Sequence, residues 1–146
     1  TKVFRNFTVM ENLEIACSDR QAISESLDYM GIKHLASEET WQLSLFDQKR
    51  LEMSLALSSK PKLLLLDELT SGLTRYEKSY SEEVVNRIKE EFGCAIMLIE
   101  HDVKVALALS SQITVLFEGR VLASGEPEEV LHDKDVIENY LGRMAI

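Results

Sequence analysis

The residues best suited to chemistry stand where apolar runs end. Leu63-Leu64-Leu65-Leu66 is followed at once by Asp67 and Glu68. In an open α/β sheet the C-terminal ends of the strands line the crevice where ligands bind. An Asp placed there can organise Mg²⁺ beside nucleotide phosphates, and an acid directly after it can orient and polarise an attacking water. A second run, Ala95 to Ile99, ends in Glu100-His101-Asp102. His101 follows Asp67 by 34 positions, one strand–helix–strand unit, so parallel neighbours bring both to one sheet edge. An imidazole at that edge can hydrogen-bond a phosphate or the water in line with it. A third feature is Leu43-Ser44-Leu45-Phe46-Asp47-Gln48-Lys49-Arg50-Leu51-Glu52-Met53, with Ser44 just before a helical stretch. Ser is a good N-cap, and a helix N-terminus attracts phosphate. Each feature also has a plainer reading: a strand meeting a solvated loop, a solvent-facing His, an ordinary cap. Their occurrence together favours the chemical one. His34 and His132 lack such company and read as structural or surface residues.

The elements that must position these residues differ between the two halves. Residues 8 to about 58 read as helices. Thr8 with Glu11 three residues later has the form of a capping box. Residues 19 to 30 place Ile23, Leu27 and Met30 on one face and stop at Gly31. Residues 46 to 57 form a further helix with Leu51 and Leu55 four apart. From residue 62 the pattern becomes strand, helix, strand, helix, strand. The four leucines predict a strand buried on both faces. Residues 75 to 91 are amphipathic, with Tyr76, Tyr80, Val84, Ile88 and Phe92 recurring every four, and Gly93 ends them. Ile113 to Phe117 reads as the third strand, and Glu118-Gly119-Arg120 turns it into a hairpin with Val121 to Ala123. The late segment GEPEEVLHD opens a helix at Pro127. The alternation argues α/β with a largely parallel sheet, preceded by a helical layer. Residues 1–58 are thus expected to be a helical subdomain and 59–146 an α/β part.

Composition narrows the partners. The 146 residues carry 16 basic and 25 acidic side chains, a formal charge of −9, which disfavours a nucleic-acid footprint. No apolar run approaches the roughly 20 residues that a membrane helix needs. Cys17 and Cys94 form no CxxC or Cys/His cluster, which argues for two reduced cysteines in a cytosolic setting. The N-terminus has neither an initiator Met nor the apolar segment of a signal peptide. The six glycines stand at 31, 72, 93, 119, 125 and 142, and none is followed by another five residues on. A GxxxxGK[ST] phosphate loop therefore does not occur in these residues.

Together the motifs resemble the nucleotide-binding domain of ABC transporters. That family shows a signature LSGGQ, a helix, a Walker B strand, a D-loop and a switch His, in that order. Here the matching segments are Leu43-Ser44-Leu45-Phe46-Asp47, then Leu63 to Glu68, then Ser71-Gly72-Leu73-Thr74, then Glu100-His101-Asp102. The resemblance runs almost without gaps from residue 43 to 125. FTVMENLEIA near the start, LIEHDVKVALALS around His101 and the ending VIENYLG look most like the ATP-binding subunits of branched-chain amino-acid and urea-type importers. It implies a partial P-loop NTPase-like parallel sheet with an N-terminal helical subdomain, and ATP with Mg²⁺ as cofactors. It gives Asp67 the Mg²⁺ shell, Glu68 the role of general base or water-polarising acid, and His101 that of switch on the γ-phosphate. Ser44, Leu45, Phe46 and Asp47 would face the ATP of a partner subunit, and Ser71 to Thr74 would form the D-loop at a dimer interface. The implied partners are a second ATP-binding subunit and membrane permease subunits, with no nucleic acid. The implied place is cytoplasmic, peripheral at the inner membrane.

This chain departs from the family pattern in several ways. Leu69 stands where the family usually has a Pro after the catalytic acid, and Thr74 where an acid usually closes the D-loop. Leu45, Phe46 and Asp47 replace the two glycines and the polar fifth residue of the signature, which restricts backbone approach and adds negative charge. The family's phosphate loop, adenine-stacking aromatic and Q-loop Gln all lie upstream of a segment like this one, so the chain resembles the C-terminal portion of such a domain. Without the loop's N–H groups and Lys, ATP binding by these residues alone is expected to be weak and turnover absent. The alternative is a truncated, non-enzymatic module that dimerises or binds a protein. An ABC-type ATPase of DNA repair or chromosome architecture is disfavoured, since no sustained heptads occur.

Overall fold

The computed structural model describes residues 3–142. Two compact units result, residues 1–97 and 98–146. The division falls later than the change of sequence pattern near residue 58, because the first strand and the long helix after it pack with the helices that precede them.

In the first unit α1 (Val9–Ala16) starts at Thr8, whose capping box with Glu11 is complete. The Thr8 amide and hydroxyl donate to the Glu11 carboxylate at 2.7 and 3.0 Å, and these bonds hold its pKa below the usual carboxylate value. α2 (Arg20–Tyr29) is capped by Asp19, and Gly31, at φ 65°, turns the chain away after it. Ile23, Leu27 and Met30 form its buried face, as their spacing predicts. α3 (Leu45–Ser58) begins at Ser44 and buries Leu51, Met53 and Leu57, whereas Leu55 is only half-buried. α2 and α3 lie against each other. A small residue allows it: Ser54 is fully buried and donates to the Ser26 carbonyl at 3.2 Å.

β1 (Leu63–Asp67) leads through a turn into α4 (Arg75–Phe92), which has a second capping box from Thr74 and Glu77. α4 docks on the earlier helices. The Tyr80 hydroxyl donates to the Met30 carbonyl at 3.3 Å, and the Phe92 ring meets Tyr29 edge-on. Its buried stripe is Ser81, Val84, Val85 and Ile88. Tyr76 is 79% exposed and Phe92 40% exposed, so the expected every-four face is corrected. A step of four residues overshoots a 3.6-residue turn by about 40°, so five such positions fan across roughly 160° and cannot share one face. Gly93 at φ 58° ends the helix as predicted. β2 (Ala95–Ile99) then lies beside β1 in a two-stranded sheet.

The expectation that β1 is buried on both faces is also corrected. Leu64 and Leu66 are buried, but Leu63 is 53% and Leu65 67% exposed. A four-leucine run marks a strand that suits cover on both sides. Among the described residues only one side is covered.

In the second unit α5 (Val103–Leu109) is capped by Asp102 and buries Val105 and Leu109. β3 (Ile113–Phe117) pairs antiparallel with β4 (Arg120–Gly125). The predicted hairpin is present: Glu118 and Gly119 both have positive φ, as a two-residue type I′ connection requires. Among the described residues β3 and β4 form a two-stranded sheet. α6 (Pro127–Leu131) and α7 (Lys134–Val136) follow, burying Val130 and Val136. No helix among the described residues is long and apolar enough to cross a membrane. The architecture is α/β.

Because Leu51 is fully buried between packed helices, Leu51→Ala should cost about 2–5 kcal/mol, and Leu55→Ala much less. Urea unfolding of both variants, read by circular dichroism, checks the order.

Candidate functional site

The candidate site is built on the turn between β1 and α4. Asp67 is the last strand residue and is exposed. Glu68, also exposed, takes a left-handed backbone with φ 48°. That conformation costs a non-glycine residue about 1–2 kcal/mol, so the surroundings must hold it. They do so at its carbonyl. The Glu68 carbonyl accepts from the Ser71 amide at 3.2 Å and from the Lys49 ammonium at 2.9 Å. The next residues are anchored: Leu69 and Thr70 are buried, and Leu73 points inward as well. Gly72 supplies a second left-handed residue, at φ 76°. Thr74 closes the turn by capping α4, with its amide and hydroxyl donating to Glu77 at 2.8 and 2.7 Å.

The segment Ser44 to Asp47 lies against this turn. A Cβ on Gly72 would come within 2.9 Å of the Leu45 side chain, so Leu45 fills the space that the glycine leaves. The two segments that sequence spacing singles out are thus brought together in one unit, through Leu45 on Gly72 and Lys49 on Glu68. Ser44 caps α3 in both directions. Its hydroxyl accepts from the Asp47 amide at 3.1 Å and donates to the Asp47 carboxylate at 2.7 Å. The Asp47 carboxylate also pairs with Arg50, and both side chains are largely shielded from solvent. The Arg50 guanidinium stacks over the Phe46 ring at 4.6 Å and reaches the Met30 carbonyl at 3.3 Å. Phe46 meets Tyr80 edge-on at 5.4 Å. The side chains of Phe46 and Asp47, which stand where the family signature has its second glycine and polar residue, are therefore engaged within this chain. A small cleft beside them is lined by Met30, Lys49, Met53 and Leu69 among others.

His101 belongs to the second unit. It is exposed and stands one residue before Asp102, whose carboxylate accepts from the Lys104 amide at 3.2 Å to cap α5. Sequence reasoning gave Lys49, Arg50 and Tyr80 no role at the site. Arg50 could have been found as the basic residue three positions after Asp47, the spacing of a helical ion pair. Lys49 carries no such local signal, since its partner is a backbone carbonyl 19 residues away. Chemically, the arrangement offers two exposed carboxylates at a strand end, Asp67 and Glu68, on a turn held from both sides. Carboxylate oxygens of that kind suit a hard, octahedral ion such as Mg²⁺.

Comparison with known proteins adds family context. The profile described as "ABC transporter" matches residues 1–71, and that described as "Branched-chain amino acid ATP-binding cassette transporter" matches residues 120–146. The chain is 33% identical to the high-affinity branched-chain amino acid transport ATP-binding protein LivG of Escherichia coli K12, over 97% of this chain and 64% of LivG. It is 28% identical to the corresponding protein BraF of Pseudomonas aeruginosa, with the same coverage. The chain thus spans about two-thirds of the length of these relatives at most. The structure of cbiO1 from Clostridium perfringens, part of the ABC transporter complex cbiONQ, superposes with a TM-score of 0.81 at 28% identity. That match covers 98% of this chain and 61% of cbiO1.

The seat of Leu45 on Gly72 is directly testable. Gly72→Ala should destabilise the protein by about 1–3 kcal/mol, from the positive φ and the contact together. In a Leu45→Ala background the loss should shrink by at least about 0.5 kcal/mol. Strictly additive losses in the double-variant cycle would show that the two side chains do not meet.

Proposed function

Since the chain belongs to the ATP-binding proteins of ABC transporters, we propose that it serves as the catalytic C-terminal part of an importer ATPase subunit that couples ATP hydrolysis to solute uptake. The solute class favoured is branched-chain amino acids, amides or urea. The observation that carries this reading is the held turn after β1, where Asp67 and Glu68 stand exposed beside the Ser44–Asp47 segment. In this reading residues 1–58 are the helical signature subdomain and 59–146 the C-terminal part of the ATPase core. Asp67 contributes to the Mg²⁺ shell, and Glu68 accepts a proton from, or polarises, the attacking water. His101 bonds the γ-phosphate. Ser44 to Asp47 face the nucleotide held by a second ATP-binding subunit, with Ser71 to Thr74 as the D-loop between the two. Mg²⁺ supplies charge neutralisation at the phosphates when bound. The assembly sits at the cytoplasmic face of the inner membrane on its permease subunits.

These 146 residues contain no GxxxxGK[ST] loop, so we propose that on their own they bind ATP weakly and do not turn it over. A micromolar affinity of the isolated chain by calorimetry would overturn that part. For the ATPase role, the test is hydrolysis by this chain assembled with a phosphate-loop-bearing subunit. Glu68→Gln should lower kcat by about 10²–10⁴. An unchanged kcat would remove Glu68 from the chemistry.

A second reading, a non-enzymatic module that self-associates, is favoured by one observation. Leu63, Leu65 and Met97 are all more than half exposed on neighbouring strands of the first unit, and such edges and faces invite pairing. Light scattering across a concentration series should then show dimers. A monodisperse monomer at high concentration would sink this reading.

A further inference from the structure

We propose that Lys49 is a positioning residue that sets the orientation of Glu68, and this rests on the ATPase reading above. The chain around Glu68 is pinned on both sides. Leu66 is buried before it and Leu69 and Thr70 are buried after it. Left alone, a glutamate at φ 48° would relax toward negative φ, and its side chain would swing with the Cα. A restraint against this acts at the carbonyl of the same residue. It accepts the Ser71 amide at 3.2 Å, which belongs to the turn itself, and the Lys49 ammonium at 2.9 Å, which does not. The second bond is charge-assisted and is the stronger of the two.

The base of this tether is rigid. Lys49 lies in the second turn of α3, whose next residues Leu51 and Met53 are core, and its neighbour Arg50 is clamped by Asp47, Phe46 and the Met30 carbonyl. Lys49 thus ties the helix that starts with the Ser44–Asp47 segment to the residue proposed to activate water. A change at the start of α3 can thus reach Glu68 through the Lys49 hydrogen bond as well as through the chain. Nothing in this role requires Lys49 to touch nucleotide.

The experiment has two arms. In the chain itself, Lys49→Met should shift or broaden the backbone amide resonances of Glu68 to Ser71 in a ¹⁵N–¹H spectrum. Lys49→Arg should restore them, and Lys60→Met should leave them unmoved. In the assembled ATPase, Lys49→Met should lower kcat about tenfold or more while the KM for ATP stays within about twofold. Lys49→Arg should recover most of the rate. Unmoved Glu68–Ser71 resonances in a folded Lys49→Met protein would overturn the proposal, as would an unchanged kcat. If the wild-type assembly hydrolyses no ATP, the ATPase reading fails by itself, and the resonance arm still decides whether Lys49 holds the turn.

Discussion

The reversal between β1 and α4 is the constraint on which the site depends. From Glu68 to Thr74 the chain must leave a strand, keep Leu69 and Leu73 in the core and enter a helix with its first amides satisfied. Two left-handed residues make the path possible, but only one of them is a glycine. The glutamate at the other position is strained, and the strain persists because donors converge on its carbonyl. A residue so placed has its backbone decided by packing and hydrogen bonds, which leaves its carboxylate presented at the strand end. The neighbouring Ser44–Asp47 segment leans on the same turn, so the two motifs share one mechanical support.

Legibility in the sequence followed the range of the interaction. The Thr8–Glu11 capping box, the αL glycines Gly31 and Gly93 and the two-residue hairpin rest on residues within four positions of each other, and the structure has them where the local pattern puts them. The buried face of α2 was equally plain, since Ile23, Leu27 and Met30 use the helical period correctly. Errors arose where a local pattern was asked to report tertiary cover. Four leucines in a row describe a strand's preference, and among the described residues one side of β1 is nonetheless open. Tyr76 and Phe92 followed a period that drifts off the face it seemed to define. At the site, Asp67, Glu68 and Ser44 were legible by type and spacing, whereas Lys49 and the Phe46–Arg50–Tyr80 stack depend on side chains converging from separate helices.

The departures at Leu45, Phe46 and Asp47 look disruptive when set against a glycine-rich signature. Within this chain each has a use. Leu45 seats on Gly72, Phe46 sits between Arg50 and Tyr80, and Asp47 closes the cap on Ser44 while neutralising Arg50. The segment gains stability from contacts that glycines could not make. The same contacts commit both the donor and the acceptor of the Ser44 hydroxyl internally, so a phosphate arriving there must compete with a carboxylate already in place.

The capping pattern also bears on the net charge of −9. Asp19, Asp102 and Asp133 serve as N-caps, and Glu11, Asp47, Glu77 and Glu129 close first turns from the third position. A fold assembled from many short helices has many N-terminal ends, and each end recruits an anion. A good part of the acidity is therefore a by-product of how often the chain starts a helix. Those carboxylates face the positive ends of peptide dipoles, so the potential close to each helix start is weaker than a bare carboxylate would give, while the net charge of −9 is unchanged.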